Sequence, residues 1–119
     1  MAVVSPEFPG MEGLGDSFTI HDEWYAQFKF PKDLHVILMQ ETADMKGKMY
    51  QRPPYPATWA RMHGKGRVFY TSMGHDRIWS QPTFKQVLLG GVDWALRKSG
   101  KDVKPNVEEV APEANKTDK

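Results

Sequence analysis

A histidine between a glycine and an aspartate has the clearest potential for chemistry in this chain. His75 stands between Gly74, which lets the backbone approach a ligand closely, and Asp76, a carboxylate that can orient an imidazole. Histidine is the side chain whose ordinary pKa lies nearest to neutral pH, so it can both take up and release a proton. We therefore predict His75 as a catalytic acid or base, with Asp76 contacting the ligand.

A second candidate group lies in the segment from His21 to Glu23. Successive residues of a strand point to opposite faces, so a strand here places His21 and Glu23 on one face and Asp22 on the other. His75, His21 and Glu23 have two alternative interpretations. Either all three are ligands for zinc or another divalent ion, or Glu23 is the acid–base partner of His75.

Composition limits the kinds of protein that fit. The 119 residues are 39% hydrophobic and 26% charged, as expected for one globular domain. The formal net charge is +1 and the basic residues are scattered, which argues against nucleic acid as a partner. Cysteine is absent, so disulfides, thiolate metal sites and a cysteine nucleophile are excluded.

The apolar runs are too short for a membrane span, which needs about 18 residues, and the start of the chain lacks the layout of a signal peptide. We therefore expect a soluble protein without a membrane partner. The compartment is not indicated.

The elements that must position these side chains follow from local pattern. Residues 17–21 are β-prone, and the apolar run 35–39 is typical of a central strand covered on both faces. A hairpin is predicted from 58–62 and 67–72, because the glycines between these runs permit a tight reversal. Apolar residues at spacings of three and four predict a helix over 82–98.

Three other segments read as irregular. The opening stretch to Gly15 and the segment 42–56 are rich in glycine or proline and predict loops. Residues 99–119 are charged, broken by proline and without aromatics, which predicts a disordered tail.

One run of sequence resembles a known family. The run from Tyr55 reads YPATWARMHGKGRVFYTSMGH and is followed by Trp79 and PTFKQVLLGGVDWAL. It is similar to the closing segment of ThuA-like (trehalose utilization) domains. These carry a tryptophan strand, a G-K-G-R turn, a strand ending in Gly-His and a Gly-Gly helix with a late tryptophan. Asp22, Glu23 and Tyr25 match the family's D-E-x-Y element. Residues 1–98 are thus expected to be a partial ThuA-like domain.

The resemblance implies an α/β fold: the C-terminal part of a flavodoxin-like, three-layer domain similar to class I glutamine amidotransferases, with a β-hairpin and one long C-terminal helix. It also implies a small carbohydrate as ligand, which makes Trp79 and Tyr25 candidates for stacking on a sugar ring and Asp22 a candidate binding residue. Because the nucleophilic cysteine of the amidotransferases is absent, glutamine hydrolysis by that route is excluded. A noncatalytic binding or scaffolding domain is the alternative.

Family members are about twice as long, so the resemblance implies a missing N-terminal half. The strand 35–39 leads to the same expectation, because one amphipathic helix covers only one of its two faces. The other cover is the missing half, a second copy of the chain, or the loops at 44–57. We favour the truncated domain. An inactive truncated fragment is therefore a further alternative for the function.

Overall fold

The computed structural model describes residues 1–118, which form a four-stranded sheet with one main helix. The strands are β1 (Ala2–Val3), β2 (His35–Gln40), β3 (Tyr55–His63) and β4 (Gly66–Thr71). The helices are α1 (Pro82–Ala95) and α2 (Val107–Val110), and 3-10 turns cover Lys48–Tyr50 and Asp76–Ser80. The predicted α/β class is confirmed, since the fold combines a four-stranded sheet with one main helix.

The sheet runs in the order β1-β2-β3-β4, and every neighbouring pair is antiparallel. The predicted central position of the apolar strand is confirmed, since β2 lies between β1 and β3. The predicted hairpin is also confirmed: β3 and β4 pair from Thr58 with Thr71 to His63 with Gly66. Gly64 has φ 59°, the left-handed conformation that glycine adopts without strain and that this tight turn requires.

Helix α1 forms as its spacing predicts and buries Phe84, Val87 and Trp94. It ends at Ala95, earlier than the predicted boundary at residue 98, because the chain leaves the helix at Arg97 with φ 62°. The glycine pair inside α1 allows close packing. A Cβ on Gly90 would lie 2.3 Å from the carbonyl oxygen of Pro9, and one on Gly91 would lie 2.4 Å from the Phe69 ring.

Two apolar clusters enclose β2. The first cluster packs Ile37 and Leu38 against α1, and the second packs Val36 and Met39 against the C-terminal segment. Because neighbouring residues of a strand face opposite ways, the clusters lie on the two sides of the sheet. Register shifts around Leu38 let two consecutive residues enter the first cluster.

The predicted disordered tail is not what the structure shows. Val107, Ala111 and Ala114 are buried in the second cluster, and their spacings of four and three residues place them on one face. The stripe lies in an otherwise charged sequence, and it covers the second face of β2, for which the predicted covers are a missing half, a second copy of the chain or the loops at 44–57.

The predicted strand at residues 17–21 is also wrong. Only Ser17 makes a bridge, with Ala2, and residues 18–31 have no regular secondary structure. Backbone carbonyls of this segment accept hydrogen bonds from side chains instead of from a neighbouring strand: the Tyr50 hydroxyl donates to Trp24 O at 2.8 Å and the Tyr55 hydroxyl to Tyr25 O at 3.1 Å.

The two predicted loops each contain part of the sheet. β1 lies in the opening stretch, and β3 begins at Tyr55, inside the predicted surface excursion at 42–56. Tyr55 and Ala57 are both 1% exposed, so burial outweighs the poor strand propensity of the proline between them. Within residues 1–118, no helix has the length and apolar character required to cross a membrane.

Candidate functional site

The loop that follows β4 carries His75 and is fixed at both ends. Before the loop, Ser72 N donates to Ala57 O at 2.9 Å, and the side chain of Met73 is buried. After it, the 3-10 turn Asp76–Ser80 buries Ile78 completely. His75 therefore sits on a short, anchored segment at the end of a strand, as the sequence predicted.

The imidazole of His75 lies between two carboxylates. Its Nδ1 is 2.8 Å from Oδ1 of Asp76, and its Nε2 is 3.5 Å from Oε2 of Glu23. The His75 side chain is 39% exposed, so solvent or a ligand can reach the ring. The structure thus brings His75 and Glu23, the two residues predicted as catalytic, together with Asp76, a predicted binding residue.

Asp22 holds this arrangement through the backbone. Its Oδ2 accepts a hydrogen bond from Gly74 N at 3.0 Å, and its Oδ1 accepts from His75 N at 3.1 Å. Oδ1 also accepts from Glu23 N at 2.8 Å. One carboxylate therefore ties the irregular segment that carries Glu23 to the loop that carries His75, across 53 residues of sequence.

Trp79 supports the same loop from the other side. Its Nε1 donates to Gly74 O at 3.0 Å, and its ring meets Phe84 edge-on at 5.0 Å between centroids. The side chain remains 52% exposed, but it does not line the cavity at His75. Tyr25 is 60% exposed and does not line that cavity either.

An open cavity of about 350 Å³ lies beside His75 and is lined by His21, Asp22, Glu23, His75 and Arg77. Its volume is within the range of about 300–1,000 Å³ that is typical of small-molecule sites. Arg77 was not recognised from the sequence, although it follows His75 by two residues in the same turn. It adds a cation and several hydrogen-bond donors to a site otherwise rich in acceptors.

The predicted three-ligand metal site of His21, Glu23 and His75 is not formed. Across residues 1–118, no group of three or more His, Asp or Glu side chains is arranged so that it could hold a metal ion. The physical reason is the missing strand at 17–21. His21 and Glu23 still line the same cavity as His75, but without the regular spacing of a strand the three side chains are not arranged as ligands of one ion.

Comparison with known proteins gives one family match. The model of the ThuA family, described as trehalose utilisation, matches residues 1–95. The match includes the acidic segment, the hairpin, the His75 loop and α1. No curated protein and no solved structure matches the chain.

Proposed function

Because this chain belongs to the ThuA (trehalose utilisation) family, we propose that it binds a carbohydrate in the cavity beside His75 and acts on it by acid–base chemistry. The observation that carries the proposal is the imidazole of His75 between the carboxylates of Asp76 and Glu23, beside an open cavity. A histidine oriented by a carboxylate is the usual arrangement for moving a proton at neutral pH.

Asp76 and His75 have separate roles in this proposal. With its Oδ1 2.8 Å from Nδ1, the Asp76 carboxylate favours the ring form that carries its proton on Nδ1 and keeps a free lone pair on Nε2. Nε2 then accepts the proton of a sugar hydroxyl, which breaks the O–H bond, leaves an alkoxide on the sugar and makes His75 an imidazolium, and the imidazolium later returns the proton to an oxygen of the product. The imidazolium formed between these events is stabilised by the two adjacent carboxylates.

Glu23 and Arg77 contact the substrate. The distance from Glu23 to Nε2 is 3.5 Å, too long for a strong hydrogen bond, and the Glu23 side chain is 63% exposed. The Glu23 carboxylate is therefore available to accept hydrogen bonds from sugar hydroxyls as the substrate enters. Arg77, which lines the same cavity, donates hydrogen bonds to sugar oxygens.

A noncatalytic carbohydrate-binding domain is the second candidate. It is favoured by the fact that both ring nitrogens of His75 already face carboxylates. If Glu23 stays paired with Nε2, no lone pair is left to accept a proton. His75 would then only shape the binding site.

Kinetics and calorimetry on matched variants test the two candidates. The variants are His75→Ala and Glu23→Gln, and the control is His63→Ala, an exposed histidine at the end of β3. With trehalose and its keto derivatives as probes, an enzyme loses about 10²–10⁴-fold in kcat in the His75 variant. The control keeps wild-type kinetics.

The outcomes separate cleanly. Sugar binding that weakens in the His75 variant, with no turnover by the wild type, supports the binding domain and contradicts the enzyme. Absence of sugar binding by the folded wild-type protein overturns the proposal as a whole.

We also propose that the sheet and α1 correspond to the closing part of a flavodoxin-like, class I glutamine amidotransferase-like fold. The support is that β2 is covered on both faces, as the central strand of a three-layer fold is. Superposition on an experimental structure of a longer ThuA protein tests this. The placement fails if the segments equivalent to β2, β3 and β4 do not lie together in its central sheet.

A further inference from the structure

The two edges of the sheet differ in how they are covered. At the β1 edge, Ala2 forms a bridge with Ser17, and Val3 N donates to Asp16 O at 2.8 Å. Residues 16–18 therefore cover the outer side of β1. At the other edge lies β4, and no further strand of residues 1–118 pairs with it. The sheet thus has one covered edge and one free edge.

The pairing with β3 shows which backbone groups of β4 point outward. Ser72 N donates to Ala57 O at 2.9 Å, and hydrogen-bonded and non-hydrogen-bonded pairs alternate along an antiparallel ladder. Every second residue of β4 therefore turns its backbone N–H and C=O groups away from β3. These residues are Arg67, Phe69 and Thr71. Their outward groups have no hydrogen-bond partner within residues 1–118.

The composition of β4 leaves this edge unprotected. Edge strands are usually kept from further pairing by short length, a bulge, a proline or a charged side chain. β4 has six residues, no proline and no register shift against β3. Its one charged side chain, Arg67, is 6% exposed, and its Nε donates to Asp102 Oδ1 at 3.0 Å. The edge is therefore open to another strand.

Helix α1 lies directly over β4. A Cβ on Gly91 would lie 2.4 Å from the Phe69 ring, and the Arg67 guanidinium lies 5.0 Å from the centre of the Trp94 ring. Phe69 is nevertheless only half-buried, because no strand of residues 1–118 continues the sheet beside it.

The outer flank of α1 is apolar and extends past the free edge. Successive helical residues are about 100° apart, so Gly90 and Val92 lie on opposite flanks of the face that Gly91 turns to β4. Gly90 meets Pro9 in the opening loop, which packs over β2 through Phe8. The Gly90 flank thus points toward the middle of the sheet, and the opposite flank points beyond β4. The apolar residues of this outer flank are Leu88, Val92 and Leu96, which follow one another at spacings of four.

The position of α1 decides which partner fits. A second copy that paired its own β4 antiparallel with this edge would bring its own α1 to the same face of the sheet. Neighbouring strands are about 4.8 Å apart, whereas the axes of two packed helices need about 8–10 Å. The fitting partner therefore contributes a strand that has no helix of its own over it.

From these observations we propose that the free edge of β4 binds an extended polypeptide segment from outside this chain as a fifth strand. Backbone hydrogen bonds to Arg67, Phe69 and Thr71 hold the segment, and apolar side chains at every second position of it pack under the outer flank of α1. None of these residues lines the cavity at His75, so the surface is separate from the proposed carbohydrate site.

A designed peptide tests the surface. In this peptide valine and threonine alternate between a terminal lysine and a terminal glutamate, and a matched peptide carries proline at its central positions. Fluorescence anisotropy of the labelled peptides measures binding to the whole chain. The test variant is Val92→Asn, and the control is Asp93→Asn, which places the same amide at the next exposed position of α1.

The wild type should bind the valine–threonine peptide at least about tenfold more tightly than the proline peptide, because proline removes the backbone donors that pair with β4. Val92→Asn should weaken binding by about fivefold or more, since a polar amide replaces an apolar contact under α1. Asp93→Asn should bind within about twofold of the wild type.

Amide hydrogen exchange followed by NMR locates the bound segment. The amides of Arg67, Phe69 and Thr71 should exchange at least about tenfold more slowly with the peptide than without it. The amides of Val68 and Tyr70 are bonded to β3 in both states and should change by less than about twofold.

Three results would overturn the proposal. The first is absence of peptide binding by the folded wild type, and the second is equal binding of the two peptides. The third is protection of the outward amides that appears without peptide as protein concentration rises, together with a dimer in sedimentation velocity. That result would assign the edge to a second copy of the chain.

Discussion

The two sides of the sheet are covered in different ways. On one side, helix α1 contributes the aromatic side chains of Phe84 and Trp94 together with Val87, all of which are at most 1% exposed. On the other side, the C-terminal segment buries Val107, Ala111 and Ala114 and packs the half-buried Val110 beside them, so it contributes no side chain larger than valine. Burial of large apolar side chains stabilises the first cover, whereas the second cover needs other interactions to hold it on the sheet.

Polar side chains hold the C-terminal segment in place. The amide of Asn106 accepts from Val36 N at 2.6 Å and donates to Val36 O at 3.1 Å. Asn115 makes the same kind of pair with Phe30, accepting at 2.5 Å and donating at 3.0 Å. Each amide thus satisfies both backbone groups of a residue far away in sequence, as a neighbouring strand would.

Arg52 is the third anchor and is itself buried, with 2% of its surface exposed. Its Nη2 donates to Ala114 O at 2.6 Å, its Nη1 donates to Gln27 O, and its guanidinium lies 4.4 Å from the centre of the Tyr55 ring. Burial lowers the pKa of Arg52 from its ordinary value. A buried cation that bonds to carbonyl groups fixes the positions of two loops and the tail at once, so its geometry matters more than its charge.

Removing the C-terminal segment tests the comparison most severely. Deletion of residues 105–119 exposes the second cluster and removes the anchors of Asn106 and Asn115, so we expect the free energy of unfolding to fall by on the order of 5 kcal/mol. Urea unfolding followed by circular dichroism measures the change. Deletion of residues 117–119 alone is the control and should have little effect. Unchanged stability of the longer deletion would mean that the tail does not cover the sheet.

The first cover should respond to loss of volume. Trp94→Ala removes a side chain with 0% exposure, and we expect a loss of about 3–5 kcal/mol from the transfer and cavity costs combined. Leu89→Ala on the same helix is the control, since Leu89 is 61% exposed and should change stability by less than about 0.5 kcal/mol. Similar losses in the two variants would contradict the assignment of the buried face of α1.

This contrast explains which parts of the fold were readable from the sequence. The apolar run of β2, the glycine turn after β3 and the periodic face of α1 are local patterns, and each predicted its element correctly. The cover on the second side depends on Asn106 and Asn115, whose partners lie 70 and 85 residues away. No local sequence pattern indicates a hydrogen bond between an asparagine side chain and the backbone of a residue far away in sequence. The sequence therefore predicts disorder where the structure has an ordered C-terminal segment.

The candidate site also contains residues that the sequence predicts and residues that it does not. His75, Asp76 and Glu23 were predicted because they follow β4 or match a family motif, and the structure brings them together. The alternation argument for His21 failed because it assumed a strand that does not form.

Replacing Arg52 probes the anchors without removing apolar residues of the tail. Arg52→Met keeps much of the side-chain volume but leaves the carbonyls of Gln27 and Ala114 without this donor, so we expect a loss of about 2–3 kcal/mol. Arg52→Lys should recover only part of this loss, because an ammonium group lacks the planar, forked arrangement of N–H donors that a guanidinium has. Thermal unfolding and amide hydrogen exchange of Val107–Val110 are the measurements.

The control for this variant is Arg61→Met. Arg61 forms an exposed ion pair with Asp33 at 3.0 Å, and such pairs contribute about 0–1 kcal/mol. If hydrogen exchange in Val107–Val110 is no faster in Arg52→Met than in Arg61→Met, Arg52 does not anchor the segment.

The smallest expected effect concerns Asp102, which lies in the connection between α1 and α2. Its Oδ1 accepts from Arg67 Nε at 3.0 Å and from Arg97 Nη1 at 3.2 Å, and the hydrogen bond from Arg67 is the main cause of its lowered pKa. Since the folded pKa lies below the ordinary value of 3.8, the ionised form stabilises the fold above that value. This contribution is lost as the pH falls from there through the lower folded pKa.

Asp102→Asn should therefore lower the urea midpoint at neutral pH, and the difference from the wild type should shrink below pH 3.8. Asp93→Asn, without a salt bridge within residues 1–118, is the control that should show no such trend. If the urea midpoint of Asp102→Asn stays below that of the wild type by the same amount down to acid pH, the effect comes from side-chain shape and not from charge.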